Sequence, residues 1–272
     1  MEKTVSVFSH SCCDGLSDEI LSSTTFVIRM LSSGFCLAVR SKEGAVLSLN
    51  HYLFSGNPSI EEKITAIGET CGQVHLKCNK TVFQLYTNIN TQIPEAFYVE
   101  SLHPNIAELL TEKPKEYVPV GEKISGEPMY NFSLWNAVLM KKINEKFPHC
   151  ELKTTTGALL EKFIGRKSQE EALVFIEDNH FTIMAKNAKG LLGCNDFAFE
   201  SEADFLYYCL CFLQNLYSNH AETVPLILCG NITVESPLFA SIKKYAVKAE
   251  LMEKNKEVPD SIVNYHYYCD II

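Results

Sequence analysis

Hydrophobic and polar positions follow one pattern in two separate stretches of the chain. The first stretch, FVIRMLSSGFCLAVRSKEGAVLSLNHYLF, runs from Phe26 to Phe54. The second, LVFIEDNHFTIMAKNAKGLLGCNDFAF, runs from Leu173 to Phe199. In each, a run rich in β-branched residues is followed by a polar turn, a second strand pattern, a glycine turn and a third strand pattern. Each stretch therefore predicts a three-stranded antiparallel meander.

The two stretches correspond at a constant offset. Each matched pair of residues is 146 positions apart, and the pairs are Phe35 with Phe181, Arg40 with Lys186, and Gly44 with Gly190. Beyond Gly190 the match drifts by one residue. The correspondence favours an internal repeat, although strand meanders can share such a pattern by chance.

The second stretch leads into a regular alternation of helices and strands. Ser201, with Asp204 three residues later, predicts a capped helix over SEADFLYYCLCFLQNLY. The almost wholly apolar run Val224–Cys229 predicts a strand that is buried on both faces. A helix that begins at Ser236 and a strand over Val247–Met252 complete the pattern. The second half therefore has the predicted order β-β-β-α-β-α-β.

The first half carries the same kinds of element with longer connections. Its predicted elements after the meander are a helix at Ser59–Glu69, a strand at Thr81–Thr87, a strand at Met129–Leu134, a helix at Trp135–Phe147, a strand at His149–Lys153 and a helix at Thr155–Ile164. Thr111–Pro128, with three prolines and two glycines, is predicted to be a loop. The polar break Gly165–Glu171 divides the chain into a first domain, residues 1–166, and a second, residues 167–272.

This order of elements resembles the ribonuclease H-like fold of the actin, sugar-kinase and chaperone ATPase superfamily. More narrowly, the chain resembles an uncharacterised bacterial family of unknown function with a duplicated actin-like ATPase fold. The segments that carry the resemblance cover most of the chain, and they are Thr24–Phe54, FPHCELKTTTGALLEKF, the second meander with SEADFLYYCLCFLQNLY, VPLILCGNI and LFASIKKY. The resemblance implies an α/β protein of two ribonuclease H-like lobes that face a shared cleft, each lobe a mixed five-stranded sheet with helices.

In superfamily members that hydrolyse ATP, two loops hold the phosphates, and this chain departs from both. The first loop needs an aspartate followed by glycine, whereas here the turn from Arg29 keeps only Gly34. The second loop is normally glycine-rich, whereas Glu177–His180 keeps the acid without glycine. The helix after the last strand of the first half usually opens with a glutamate, but Thr154–Ala158 has no carboxylate.

In superfamily members, the segment that binds adenosine contains a pair of glycines. The corresponding segment of this chain keeps one of them. Gly230 follows the apolar strand and is itself followed by Asn231, and any βα turn can use such a glycine. The resemblance implies a candidate ligand site in the cleft between the lobes, formed by Ser32, Ser33, Gly34, Asp178, Asn179, Gly230 and Asn231. No catalytic residue, metal ligand or bound cofactor is predicted.

The damaged loops favour a cytoplasmic protein of unknown function that keeps the actin-like fold without ATPase activity and acts as an interaction module. The alternative is an ATP-binding protein or phosphotransferase with altered phosphate loops, in which Asp178 would hold Mg²⁺. A structural subunit that assembles as actin does is a third possibility. The protein partner and the oligomeric state stay open.

The composition of the chain argues against several other classes of protein. The formal net charge of −9 argues against a general nucleic-acid binder, which needs clustered Lys and Arg. The 11 cysteines are irregularly spaced, their number is odd and no CxxC pair occurs, so we expect free thiols in a reducing cytoplasm. No signal peptide and no apolar run of about 20 residues is seen, so no membrane span is expected.

The C-terminal segment SIVNYHYYCDII (Ser261–Ile272) combines three tyrosines with apolar residues. Tyrosine-rich amphipathic segments can dock a partner, because each ring offers contact area and a hydroxyl. Packing across the two halves of the protein itself is the preferred interpretation.

Overall fold

A computed structural model describes residues 4–11, 16–254, 258–262 and 264–271. Its strands are β1 (Thr4–Ser11), β2 (Thr25–Met30), β3 (Gly34–Arg40), β4 (Val46–Phe54), β5 (Lys80–Leu85), β6 (Asn90–Pro94), β7 (Tyr117–Lys123), β8 (Met129–Asn136), β9 (Glu151–Thr154), β10 (Glu171–Glu177), β11 (His180–Asn187), β12 (Gly190–Ala198), β13 (Leu226–Gly230) and β14 (Ala249–Leu251). Its α-helices are α1 (Asp18–Leu21), α2 (Ile60–Cys71), α3 (Val74–Lys77), α4 (His103–Leu110), α5 (Ala137–Lys146), α6 (Thr155–Ile164), α7 (Glu202–Tyr217), α8 (Pro237–Ile242) and α9 (Tyr265–Tyr268).

Two mixed sheets share one topology. The first sheet has the strand order β1-β4-β3-β2-β5-β9, and the second has the order β12-β11-β10-β13-β14. In each, an antiparallel meander is extended by two parallel strands, which are β5 and β9 in the first sheet and β13 and β14 in the second. The predicted α/β class with two lobes is therefore confirmed. The first sheet has a sixth strand, β1, which the sequence pattern did not assign.

The register of the meanders preserves the offset seen in the sequence. Thr25 pairs with Arg40 in the first sheet, and Glu171 pairs with Lys186 in the second. The following turn of each meander also has a glycine with positive φ, Gly44 between β3 and β4 and Gly190 at the start of β12. Equivalent residues of the two meanders therefore occupy equivalent positions in the two sheets.

A segment inserted between β5 and β9 forms a small third sheet with the order β6-β8-β7. We call the segment 86–136 the inserted subdomain. The prediction that Thr111–Pro128 is a loop is wrong, because β7 lies within it. Pro119 is tolerated there because β7 is an edge strand, where a missing N–H need not break the ladder.

Local sequence explains where the long helices begin. Ser59 and Glu62 form a capping box at α2, and Ser201 and Asp204 form the predicted one at α7. Thr154 caps α6 by accepting a hydrogen bond from the N–H of Gly157. No helix in the described ranges has the length and apolar character needed to span a bilayer.

Three apolar clusters lie against the two large sheets, and a fourth, with Ala107, Phe132 and Leu134, lies largely in the inserted subdomain. One cluster fills the outer face of the first sheet under α2 and α5, and another fills the outer face of the second sheet under α7 and α8. The third lies between the sheets and takes residues from both, from α6 and from the C-terminal residues 258–262 and 264–271. Because the sheets meet through this shared cluster, residues at their facing ends are brought together. The domain boundary after residue 166 stays a prediction.

Candidate functional site

The turns that follow β2 and β10 meet between the two sheets. Ser32, in the first turn, donates a hydrogen bond from its hydroxyl to the carboxylate of Asp178 in the second. Both side chains are exposed. Asp178 has a φ of 50°, which turns the chain sharply between β10 and β11. The two turns that the sequence analysis compared with phosphate loops are therefore bonded to each other.

Ser33 and Gly34 hold their own turn closed. The carbonyl of Ser33 accepts a hydrogen bond of 2.9 Å from the N–H of Phe54, and that of Gly34 accepts one of 2.9 Å from the N–H of Leu31. A Cβ at Gly34 would lie 2.1 Å from the carbonyl oxygen of Tyr52. The glycine is therefore required by the close approach of β3 to β4.

The other predicted site residues lie in the second lobe, where backbone contacts hold them. Asn179 accepts a hydrogen bond of 2.8 Å from the N–H of Phe199 through its carbonyl. Gly230 has a φ of 85°, and a Cβ there would lie 2.1 Å from the carbonyl oxygen of Ile176. The N–H of Asn231 donates to that same oxygen at 2.7 Å. Gly230 thus allows the close approach of β13 to the end of β10, its parallel neighbour in the sheet.

A buried ion cluster joins the two lobes beside these turns. Arg29 on β2 is 1% exposed and bonds Glu177 at 3.2 Å and Asp270 at 2.9 Å. It also donates at 2.9 Å to the carbonyl oxygen of Tyr267. Its guanidinium carbon lies 5.3 Å from the ring centroid of Phe175. Arg29 therefore connects the first sheet, the second sheet and the C-terminal segment.

Burial and charge oppose each other in this cluster. Burial alone would lower the pKa of Arg29, but the carboxylates of Asp270 and Glu177 outweigh it and raise that pKa above its ordinary value. Burial raises the pKa of Asp270, and the charges of Arg29 and Lys162 oppose that rise. The guanidinium stays charged, and its bonds keep two carboxylates inside the protein.

The C-terminal segment, which we define as residues 264–271, is held by side chains of the first lobe. Gln84 donates to Asp270 at 2.6 Å, and Lys162 donates to the carbonyl of Cys269. Arg40 donates to the carbonyl of Ile271 at 3.3 Å. A ring nitrogen of His51 lies 3.2 Å from the hydroxyl of Tyr268. The predicted packing of this segment across the two halves is confirmed for its described residues.

Two side chains that hold the C-terminal segment, Lys162 and His51, have lowered pKa values. Burial is the main cause that lowers the pKa of Lys162 to about 8, and the positive charge of Arg40 acts in the same direction. Burial, together with the charge of Arg29, lowers the pKa of His51 to about 4. His51 is therefore neutral at neutral pH, as its contact with a tyrosine hydroxyl allows.

A carboxylate from the inserted subdomain occupies the N-terminus of α6. Glu122 on β7 accepts hydrogen bonds from the N–H of Thr154 at 3.1 Å and from its hydroxyl at 2.9 Å. A Cβ at Gly157 would lie 2.2 Å from this carboxylate. Burial raises the pKa of Glu122 to about 7 against these hydrogen bonds. The N-terminus of α6, which could otherwise bind an anion, is therefore occupied by the carboxylate of Glu122.

Sequence reasoning missed Asp270 and Glu122, the two carboxylates that matter most here. One signal was present for Asp270, because an arginine within the apolar strand TFVIRM needs a buried partner. Its partner lies 241 positions away in the chain, so spacing could not identify it. Glu122 lies in the segment that was predicted to be a loop.

The remaining chemistry of the described residues is sparse. Among them, no group of three or more His, Cys, Asp or Glu side chains is arranged to hold a metal ion. The nine cysteines in the described ranges carry free thiols.

Comparison with known proteins agrees with this architecture. The family model described as "Protein of unknown function (DUF3822)" matches residues 15–248. No curated protein matches the chain.

Two solved structures show the same fold. A Bacteroides thetaiotaomicron protein with actin-like ATPase fold and unknown function superimposes with a TM-score of 0.76 at 17% identity, covering 89% of this chain and 96% of its own. The PilM-PilN type IV pilus biogenesis complex contains a chain that superimposes with a TM-score of 0.59 at 10% identity, covering 90% and 96%. At these low identities the superpositions establish the fold alone. They confirm the predicted actin-like ATPase fold.

Proposed function

Because the chain belongs to this family of unknown function and has the actin-like ATPase fold, we propose that it is a non-catalytic member of that fold. In this proposal it works as an interaction module in the cytoplasm. No residue is assigned a catalytic role.

The observation that carries the proposal is the C-terminal segment between the lobes. Asp270 places a carboxylate against Arg29 and Gln84, and the surrounding tyrosines belong to the core cluster shared by the two sheets. An incoming triphosphate would have to displace this buried carboxylate and break the bond between Ser32 and Asp178. Both steps oppose nucleotide binding, because an uncompensated buried charge is costly.

A thermal-shift measurement with ATP and Mg²⁺ tests the absence of nucleotide binding. A ligand that binds only the folded state raises the melting temperature by an amount that grows with the ratio of its free concentration to its Kd. We expect no change up to about 5 mM ATP with Mg²⁺, a concentration at which even weak sites are occupied. Isothermal titration under the same conditions should show no saturable heat.

The variant Asp178→Ala separates this proposal from its alternative. In an ATP-binding protein or phosphotransferase with altered loops, Asp178 would hold Mg²⁺. A magnesium-dependent rise in melting temperature that disappears in Asp178→Ala would support that alternative and refute the proposal. Unchanged melting temperatures in both proteins would support the proposal.

The interaction role is supported by apolar side chains on the inserted subdomain. Phe97 is 72% exposed and Leu109 is 86% exposed, and Val99 and Leu102 are exposed nearby in the sequence. Exposed apolar residues grouped in one subdomain are typical of protein contact surfaces. None of these four residues is among the seven predicted cleft residues.

A variant pair tests the interaction role. Phe97→Ser with Leu109→Ser should abolish quantitative capture of a partner from the source cytoplasm. The control Val247→Ser alters a residue of the second lobe that is also 72% exposed, and it should leave capture unchanged. Equal capture by all three proteins would contradict the role assigned to this surface. A fluorescent fusion outside the cytoplasm would contradict the proposed location.

A further inference from the structure

The inserted subdomain holds a large share of the negative charge of the chain. Residues 86–136 contain seven glutamates, three lysines and no aspartate or arginine, so their formal net charge is −4. Almost half of the net charge of −9 therefore lies in less than a fifth of the sequence. Within this subdomain, residues 95–112 (EAFYVESLHPNIAELLTE) contain four glutamates and no lysine or arginine.

The exposed apolar side chains of the same stretch share one side of the backbone. Tyr98 turns inwards, where its ring stacks on that of Tyr130 with 3.7 Å between the centroids. The backbone at Tyr98 is extended, so the side chains before and after it, Phe97 and Val99, project to the opposite side. Both are exposed to solvent.

Helical geometry continues this side onto α4. The N–H of Leu102 donates to the carbonyl of Val99 at 2.9 Å, and side chains three residues apart eclipse in such a 3₁₀ turn. Leu109 follows Leu102 by seven residues, which is close to two turns of α-helix, so these two side chains lie on one face. We call Phe97, Val99, Leu102 and Leu109 the apolar stripe.

Exposed carboxylates accompany the apolar stripe. Glu100, Glu108 and Glu112 are exposed, and none of the three forms an ion pair with another described residue. Carboxylates beside an apolar surface disfavour anionic lipid headgroups, and they disfavour a second copy of this chain, which carries the same acidic surface. They complement a partner that carries Lys or Arg beside its apolar residues.

We propose that the apolar stripe docks a basic amphipathic helix of a protein partner. The apolar face of that helix covers the stripe, and its Lys or Arg side chains pair with Glu100, Glu108 and Glu112. An apolar stripe that follows a helix is covered most simply by the apolar face of another helix. The charges set the orientation and speed the encounter, and the apolar contact holds the complex together. The inference rests on the proposed role as an interaction module and adds the chemistry of the partner.

A model peptide tests this chemistry. A fluorescent peptide of about 18 residues, or five helical turns, is built from leucine at helical spacing and lysine elsewhere, and its binding is followed by anisotropy. We expect saturable binding with a Kd of about 10–100 µM, and no binding of the same peptide with glutamate in place of lysine. Phe97→Ser with Leu109→Ser should weaken binding about tenfold or more. Glu100→Gln, Glu108→Gln and Glu112→Gln combined should do the same.

A matched variant separates this surface from the overall charge of the protein. Glu222→Gln, Glu235→Gln and Glu253→Gln combined remove the same charge from three exposed glutamates of the second lobe. This control should keep the affinity of the wild type within about twofold. Equal weakening by the two triple variants would overturn the proposal, because the attraction would then be general. Circular dichroism spectra that match the wild type would show that all the variants are folded.

Two further outcomes would overturn the proposal. One is the absence of saturable binding by the lysine peptide, and the other is binding of the protein to vesicles of anionic phospholipid in place of the peptide. In either case, capture of a cytoplasmic partner that still depends on Phe97 and Leu109 would leave the proposed function standing with a partner of different chemistry. The failure of this inference is therefore distinguishable from the failure of the proposed function.

Discussion

The two lobes place equivalent residues against each other. Arg29 and Phe175 are equivalent in the 146-residue offset, and the guanidinium of one lies over the ring of the other. Ser32 and Asp178 are equivalent at the same offset, and they are hydrogen-bonded. Contacts between equivalent positions are typical of surfaces related by a two-fold axis.

The two lobes carry different residues at these positions, and they therefore contact the C-terminal segment in different ways. The first lobe presents Arg29 with Gln84, and these bind the C-terminal segment through Asp270. The second lobe presents Phe175 with Cys229, and these belong to the apolar cluster that covers the same segment. The first lobe therefore holds the segment by charge, and the second holds it by packing.

The largest expected effect comes from removing the charge that distinguishes the first lobe. Arg29→Ala leaves Asp270 and Glu177 uncompensated in the interior, so the free energy of unfolding should fall by about 3–5 kcal/mol. Urea denaturation at pH 7 measures this loss. A loss below about 1 kcal/mol, the range of an exposed pair, would contradict the charge-based account.

A double-mutant cycle with Arg29→Met and Asp270→Leu is the control. When both charges are removed together, Asp270 no longer leaves an unpaired carboxylate, and Glu177, which is 12% exposed, is the carboxylate partner that Arg29 leaves behind. The double variant should therefore be less destabilised than the sum of the two single variants. Simple additivity would show that the pair is not coupled.

A smaller effect is expected at the glycine of the second lobe. Gly230→Ala should lower the free energy of unfolding by about 1–3 kcal/mol, because the residue has positive φ and no room for Cβ. Gly44→Ala is the matched control, since Gly44 has a φ of 91° with nothing within 4 Å of its Cβ position. The loss at Gly230 should exceed the loss at Gly44. Equal losses would show that the approach of Gly230 to Ile176 is not tight.

The pH dependence of stability tests the contact between Glu122 and the N-terminus of α6. The pKa of Glu122 is raised to about 7 in the folded protein, from 4.5. Its contribution to stability is therefore present below about pH 4.5 and is lost as pH rises through 7. Glu122→Gln removes this loss, so the variant should gain about 1–3 kcal/mol relative to wild type between pH 5 and pH 8. Parallel stability curves for the two proteins across this range would contradict the assignment.

The smallest effect, with the opposite sign, is expected at His51. Its pKa is lowered from 6.5 to about 4 in the folded protein, so the unfolded chain takes up the proton first as pH falls. Stability is therefore lost between pH 6.5 and pH 4. The wild-type melting temperature should fall more steeply over this range than that of His51→Gln, by a few degrees. Identical slopes in a pH series of melting curves would contradict the depressed pKa.

Much of the fold could be predicted because its signals are local. The alternation in β2–β4 and the apolar run of β13 depend on neighbouring residues, as does the capping box of α7. β7 was missed because Pro119 and Gly121 normally mark loops, and an edge strand tolerates them. β1, with three serines among its eight residues, has no apolar run of its own.

The site was less predictable because its contacts are distant in the chain. The turns at Ser32 and Asp178 were identified from the resemblance to the fold superfamily, and the structure brings these two side chains together. The bond between Arg29 and Asp270 spans 241 positions, and that between Glu122 and Thr154 spans 32. No periodicity in the sequence connects residues so far apart. The role of the seven predicted site residues in binding a ligand stays a proposal.

A crystal structure grown with saturating ATP and Mg²⁺ tests the central claim most directly. The account predicts that Asp270 still bonds Arg29, that Ser32 still bonds Asp178, and that no nucleotide lies between the lobes. A triphosphate between these turns, with the C-terminal segment displaced, would contradict it.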